Sequence, residues 1–197
     1  MALVVVLGLA GMAKAETAIV AGGCFWCVES DFEGVDGVGE VVSGYTGGDL
    51  QNPTYKNHDG HLEAVKITFD PAVISYGEVM AKFLRSVDVL DAGGQFCDRG
   101  DAYRTAIFVQ DADQRRAAKA AVAEAEAVLG AKIVTPVRNA GTFWIAEEYH
   151  QDYYKSSEIV LTRAGPKSKA NAYKFYRKAC GRDARLKELW GAQAFSH

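Results

Sequence analysis

Basic residues are in short supply. The 197-residue chain carries 22 Lys and Arg against 25 Asp and Glu, a formal net charge of −3. It therefore has no cationic surplus to neutralise a phosphate backbone, and nucleic acid is excluded as a main partner. Histidines and cysteines number four each. The cysteines Cys24, Cys27, Cys97 and Cys180 supply one CxxC and no second pair at ligand spacing. A closed zinc site needs four ligands, so no metal is expected. Four cysteines in a chain of this size are no disulfide scaffold either, because such a core needs no staples. Cysteines kept for chemistry are the better account. Internal repeats, low-complexity tracts and linkers are lacking. The one long apolar run, Ala2 to Met12, is too short to span a bilayer comfortably. It is followed by Ala13-Lys14-Ala15, a small-x-small pattern before a cleavage point, although no positive n-region precedes it. Residues 1–15 thus read as a signal-peptide remnant and the mature chain as periplasmic or secreted; uncleaved, it would be cytoplasmic.

With 49% hydrophobic and 24% charged residues, residues 16–197 read as one globular domain with a C-terminal tail from about residue 158. Thr17 to Ala21 is a buried strand, and a helix runs from the Cys24 region to about Glu33, where Gly34, Gly37 and Gly39 break it. Val38 to Ser43 is a strand. Glu63 to Asp70 alternates with period two and is another. Ser75, with Glu78 three residues on, forms a capping-box pattern for a helix to Val87. Arg104 to Val109 is a strand, and the alanine-rich stretch Ala112 to Leu129 is a helix stopped by Gly130. Val134 to Phe143 holds one or two short strands. Helices are expected over 147–157 and around 170–179. Hairpin-like segments beside crossovers point to an α+β fold, a two-layer α/β sandwich with a mixed sheet. The basic cluster from Lys167 to Lys187 is interleaved with Asp183 and reads as a solvated surface.

The chemistry concentrates at Gly22-Gly23-Cys24-Phe25-Trp26-Cys27-Val28-Glu29. Cys24 sits where a strand hands over to a helix N-terminus, whose free N–H groups and dipole favour a thiolate. Phe25 and Trp26 would make an apolar pocket beside it. A half zinc site, a thioredoxin-like redox pair, and a cysteine hydrolase using His61 or His150 with Asn139 are all compatible with this segment alone.

Six segments in order resemble the peptide methionine sulfoxide reductase A family: Gly23-Cys24-Phe25-Trp26, Ser43-Gly44-Tyr45-Thr46-Gly47-Gly48, Asn52-Pro53-Thr54-Tyr55, Gly60-His61-x-Glu63-Ala64-Val65, Tyr103-Arg104-Thr105-Ala106-Ile107 and His150-Gln151-Asp152-Tyr153. They cover roughly Ala18 to Tyr154. The resemblance implies a ferredoxin-like core and peptide-methionine (S)-S-oxide reductase activity on free methionine sulfoxide and on oxidised proteins, with no organic cofactor. It implies Cys24 as nucleophile, Glu63 as a buried acid that protonates the oxygen, and Tyr55 and Tyr103 as hydroxyl donors. Phe25, Trp26 and Asp98 would bind substrate. The Cys24 sulfenic acid would condense with a second thiol. Cys180 in a mobile tail is the first candidate, followed by Cys27 and Cys97, and thioredoxin or a thioredoxin-like partner would recycle the disulfide. A monomer is expected. The alternative is a thiol-disulfide oxidoreductase using Cys24 and Cys27.

Overall fold

The computed structural model describes residues 14–195, so the expected leader lies outside the described residues up to residue 13. In chain order the elements are β1 (Glu16–Gly22), α1 (Phe25–Phe32), β2 (Val38–Thr46), β3 (Leu62–Phe69) and α2 (Tyr76–Arg85). The two-residue strands β4 (Gly94–Gln95) and β5 (Asp98–Arg99) follow, then β6 (Thr105–Val109), α3 (Ala112–Leu129), β7 (Val137–Asn139) and β8 (Trp144–Ile145). A hairpin of β9 (Ile159–Thr162) and β10 (Gly165–Ser168) leads into α4 (Lys169–Ala179) and α5 (Arg182–Trp190).

The main sheet has the order β7-β6-β1-β3-β2-β8. Its four inner strands are antiparallel, and β7 joins β6 in parallel, which makes the sheet mixed as expected. The run β1-α1-β2-β3-α2-β6 with strand order β6-β1-β3-β2 is the ferredoxin-like arrangement. Strand alternation divides the sheet into two faces. On one face Val20, Val65 and Ile67 join Phe25, Val28 and Phe32 of α1 and Val79 and Phe83 of α2 in the main core. On the other, Ile19, Ala21, Ala64 and Phe108 are covered by Ala140 and Phe143. The Ser75–Glu78 capping box forms in full, and Gly130 closes α3 in the left-handed region at φ 60°. Among the described residues no helix is long and apolar enough to cross a membrane.

Three expectations are corrected. First, residues 147–157 form no α-helix but two short 3-10 turns, Glu148–His150 and Tyr153–Lys155, interrupted by Asp152 in the left-handed region at φ 55°. Long-range bonds override the local helical preference. The Gln151 side chain accepts from Ser43 N at 2.9 Å and donates to Ser43 O at 3.0 Å, while Asp152 N donates to Glu29 at 2.8 Å. Second, the basic cluster is not all solvated. Arg182 is 2% exposed, and Lys169 is also buried. Third, the tail carries two helices packed on the domain, and Cys180 at the end of α4, expected as a resolving thiol, is disulfide-bonded to Cys97.

The disulfide closes a loop with a sequence separation of 83 residues. A crosslink across a loop of that size stabilises the folded chain by about 4–5 kcal/mol in chain-entropy terms. Cys180→Ser should therefore lower the urea midpoint of the oxidised protein. Dithiothreitol should lower the wild-type midpoint to a similar value and leave that of the variant in place.

Candidate active site

The turn from β1 into α1 depends on Gly23. Its φ of +80° is left-handed, and an added Cβ would stand 2.5 Å from the Gln95 Cβ. Gln95 is fully buried, and its amide both accepts from Asp88 N and donates to Asp88 O, at 2.8 and 2.9 Å. The loop carrying Cys97 and Asp98 is thereby pressed against the start of α1. Cys24 is the N-cap of α1, and its side chain makes no capping bond. The first helical amide, Phe25 N, donates instead to Glu63 Oε2 at 3.1 Å. Glu63 reaches it because it shares a strand face with Val65 and Ile67, toward the helices.

Glu63 is 2% exposed, and burial pushes its carboxyl up to about 8, against the opposing bond from Phe25 and with help from Asp98. Its surroundings therefore favour the neutral acid at pH 7. Burial also raises the Tyr55 and Tyr103 hydroxyls, with the nearby Glu63 adding to both, and it raises Asp98. The surroundings of Cys24 do not favour the expected thiolate. The Cys24 and Cys27 side chains are hydrogen-bonded to each other, and this bond with burial and the nearby Glu63 and Asp98 holds the Cys24 thiol well above its ordinary value. The same bond, together with Arg182 and Arg177, lowers Cys27.

Cys24, Trp26, Cys27, Tyr55 and Asp98 line a cavity of about 710 Å³. The C-terminal helices close its other side with Tyr173, Tyr176, Arg177 and Arg182, and the Cys97–Cys180 bond also faces it. Phe25 does not line it. Its ring, 1% exposed, packs in the core against Tyr45 and His150, so its contribution to the site is its amide. The Trp26 ring is stacked on Tyr153 at 3.7 Å, and its Nε1–H donates to His150 Nδ1 at 3.1 Å. Burial lowers His150 to about 4, which keeps it a neutral acceptor.

The zinc and hydrolase readings of the segment are not assembled, whereas the Cys24 and Cys27 thiols of the redox-pair reading are both free. His61 is buried and spends its ring nitrogens on Gly48 N and Leu50 O, and Asn139 bonds Arg115 on α3. Cys97 and Cys180, which a zinc site would need, are bonded to each other. Sequence reasoning missed Asp31, Arg177 and Arg182. Asp31 is fully buried and pairs with Arg177 at 2.7 Å and Arg182 at 3.4 Å. The available signal was an acidic residue set between the core positions Val28 and Phe32, one turn after Cys27.

The chain matches the sequence model of the family described as peptide methionine sulfoxide reductase over residues 16–185. It is 47% identical to peptide methionine sulfoxide reductase MsrA 2 of Caulobacter vibrioides, with 90% of this chain and 87% of that one aligned. It is also 47% identical to the MsrA 2 of Rhizobium meliloti, over 93% and 88%. The crystal structure of reduced Mxr1 from Saccharomyces cerevisiae superposes with a TM-score of 0.66 at 30% identity, over 72% of this chain and 84% of that one. With nearly the whole described domain inside the matched span and relatives close to half identical, the chain belongs to the peptide methionine sulfoxide reductase A family.

Proposed function

We propose that this protein reduces methionine-S-sulfoxide, free and within oxidised proteins, to methionine, and so repairs proteins under oxidative stress. The observation that carries the proposal is the place of Cys24 at the N-cap of α1, next to the amide that bonds the buried Glu63 carboxyl, which burial pushes up to about 8. A sulfoxide is uncharged and its oxygen leaves only when protonated. The Glu63 acid supplies that proton, and the coupled Tyr55 and Tyr103 hydroxyls donate to the oxygen as charge develops on it. The Trp26 face, fixed by Tyr153 and His150, provides an apolar wall for the substrate methyl group. Cys24 sulfur attacks the sulfoxide sulfur, oxygen passes to Cys24 as a sulfenic acid, and the thioether is released.

The resolving thiol in this reading is Cys27. Cys180, the first expectation, and Cys97 are bonded to one another, whereas Cys24 and Cys27 are free and in contact. Condensation gives a Cys24–Cys27 disulfide, which a thioredoxin-type dithiol returns to the reduced state. Mxr1 of Saccharomyces cerevisiae is known in complex with Trx2, which supports that choice of reductant. The leader-like residues 1–15 support a periplasmic or secreted location, where the Cys97–Cys180 bond would persist.

Purified protein with dithiothreitol should reduce methionine-S-sulfoxide and leave the R epimer unchanged; turnover of both epimers, or full turnover by Cys24→Ser, would refute the reading. Tandem mass spectrometry after one equivalent of substrate should find Cys24 joined to Cys27, and a Cys24–Cys180 peptide would return the resolving role to the tail. Glu63→Gln should slow turnover by about 10²–10⁴-fold yet raise stability above pH 8. The unfolded chain releases this proton near 4.5 and the folded chain near 8. Between those values the folded state binds more protons, so the Glu63 contribution to stability falls as pH rises, and above pH 8 the charge is buried at a cost on the order of a few kcal/mol. A urea denaturation series against pH reads the difference between the two proteins.

A further inference from the structure

We propose that Cys27 is the proton acceptor for Cys24 in the sulfoxide-reducing step, before it serves as the resolving thiol, and that Arg177 and Arg182 of the C-terminal helices position and charge it for that first task. The inference rests on the function proposed above and adds a catalytic role to Cys27 that precedes disulfide formation.

Glu63 starts the step protonated and can take the Cys24 proton only after giving its own to the oxygen, so an acceptor other than Glu63 lets the sulfur attack as an anion from the outset. Cys27 is one turn along α1, hydrogen-bonded to Cys24 through their side chains, and lines the same cavity. The wall of that cavity also carries a buried charge cluster. Arg177 donates from Nη1 to Asp31 Oδ1 at 2.7 Å and to Tyr173 OH at 2.8 Å. Arg182 spends Nη2 on Ser86 O at 2.7 Å and on Asp31 Oδ2 at 3.4 Å, and its guanidinium lies 4.7 Å from the Phe96 ring centroid. Its Nε is buried with no hydrogen-bond partner among the described residues. Two guanidinium groups thus face one buried carboxylate. Asp183, the other partner of Arg177, has a side chain 65% exposed and is screened by water. Asp98, on the wall of the same cavity, is also held down by Arg182 against the effect of burial, so two guanidinium groups stand among two carboxylates of which Asp31 alone is fully buried. The groups that face Cys27 are Cys24 and Asp31 on its own helix, Tyr173 and Arg177 on α4, Arg182 on α5 and Glu63 on β3. Of these, the arginines favour its anion and the acids oppose it, and Glu63 is neutral below pH 8.

The step then balances. Cys24 sulfur attacks the sulfoxide sulfur while its S–H proton passes to Cys27 Sγ. The oxygen moves to Cys24 and takes the Glu63 proton. Cys24 is oxidised by two electrons to the sulfenic acid, and the sulfoxide is reduced by two to the thioether. The Cys27 thiol then condenses with the sulfenic acid: the S–S bond forms, the S–O bond breaks, and the Cys27 proton leaves in water.

The test is methionine release in a single turnover, by rapid quench with one equivalent of methionine-S-sulfoxide across a pH series. Wild-type protein should release methionine at a rate that is flat through neutral pH. Cys27→Ala and Cys27→Ser should release it about 10²-fold or more slowly at pH 7, with a rate that climbs with pH as Cys24 must ionise unaided. One equivalent released by Cys27→Ala at the wild-type rate would overturn the proposal and give the proton to another acceptor such as Asp98. No release by wild-type protein would instead sink the proposed function itself. Independently of turnover, ultraviolet titration of Cys24→Ser should show a thiolate forming below the ordinary thiol value of about 8.5. Its midpoint should rise in Arg182→Met and stay low in Arg182→Lys. A Cys27 that titrates at or above the ordinary value in Cys24→Ser would also overturn the proposal.

Discussion

The bond from Phe25 N to the Glu63 carboxyl holds the site together. It exists because β1 and β3 are neighbours with Val20 opposite Val65. Two residues further along each strand stand Gly22 and Glu63, so the chain turns into α1 directly above that carboxyl. The two elements that supply nucleophile and acid therefore meet as a consequence of strand register, and a register slip would turn Glu63 to the opposite face. The bond also has an electrostatic consequence. It holds a carboxyl that burial pushes up to about 8 close to Cys24, where any charge on it opposes a thiolate.

A second constraint comes from the far end of the chain. Asp31 is buried on α1, so its charge has to be matched, and α4 and α5 do so with Arg177 and Arg182. Removing one partner of a buried ion pair typically costs about 3–5 kcal/mol because the other is left uncompensated. The same helices are fastened by Cys97–Cys180 to the loop that carries Asp98. In that loop Phe96 adopts a left-handed φ of 53°, a conformation that costs a bulky residue on the order of 1 kcal/mol or more. The disulfide at the adjacent Cys97 and the Arg182 guanidinium over its ring hold it there. The C-terminal segment is therefore part of the active-site wall.

Much of this was legible in the residues, for local reasons. The alternation of β3, the Ser75–Glu78 box and the alanine-rich α3 are patterns within a few residues of themselves, and each became the element it implied. Glu63 was legible as a buried acid only through its place among ordered motifs, since a lone Glu on a strand is usually solvated. What escaped depends on partners far along the chain. The 147–157 segment has helical composition, but Gln151 and Asp152 are held by Ser43 and Glu29, more than a hundred residues away. Arg177 and Arg182 read as surface charge because nothing near them in sequence shows that Asp31 is buried. The rise in the Cys24 thiol escaped in part for the same reason, since burial and the Glu63 and Asp98 charges that add to the effect of Cys27 come from distant segments.

The two buried carboxyls near the cysteines show how one helix can serve both ends of a proton transfer. Glu63 lies under the start of α1 in apolar surroundings with another acid, Asp98, as its charged neighbour, and those conditions favour the neutral form. Asp31 lies at the other end of the same eight-residue helix against two guanidinium groups. Cys24 is next to the first carboxyl, and Cys27 lies toward the second. The potential along α1 therefore changes in a fixed direction, from a region that retains protons to one that stabilises anions, over about one helical turn. A sulfur at the first position is well placed to meet a leaving oxygen that must be protonated, and a sulfur at the second is well placed to carry negative charge. Exchanging the two environments would put an ionised carboxylate beside the departing oxygen and a protonated thiol where an acceptor is needed. The order of charges along α1, rather than the reactivity of either cysteine alone, is what makes the pair suited to sulfoxide chemistry.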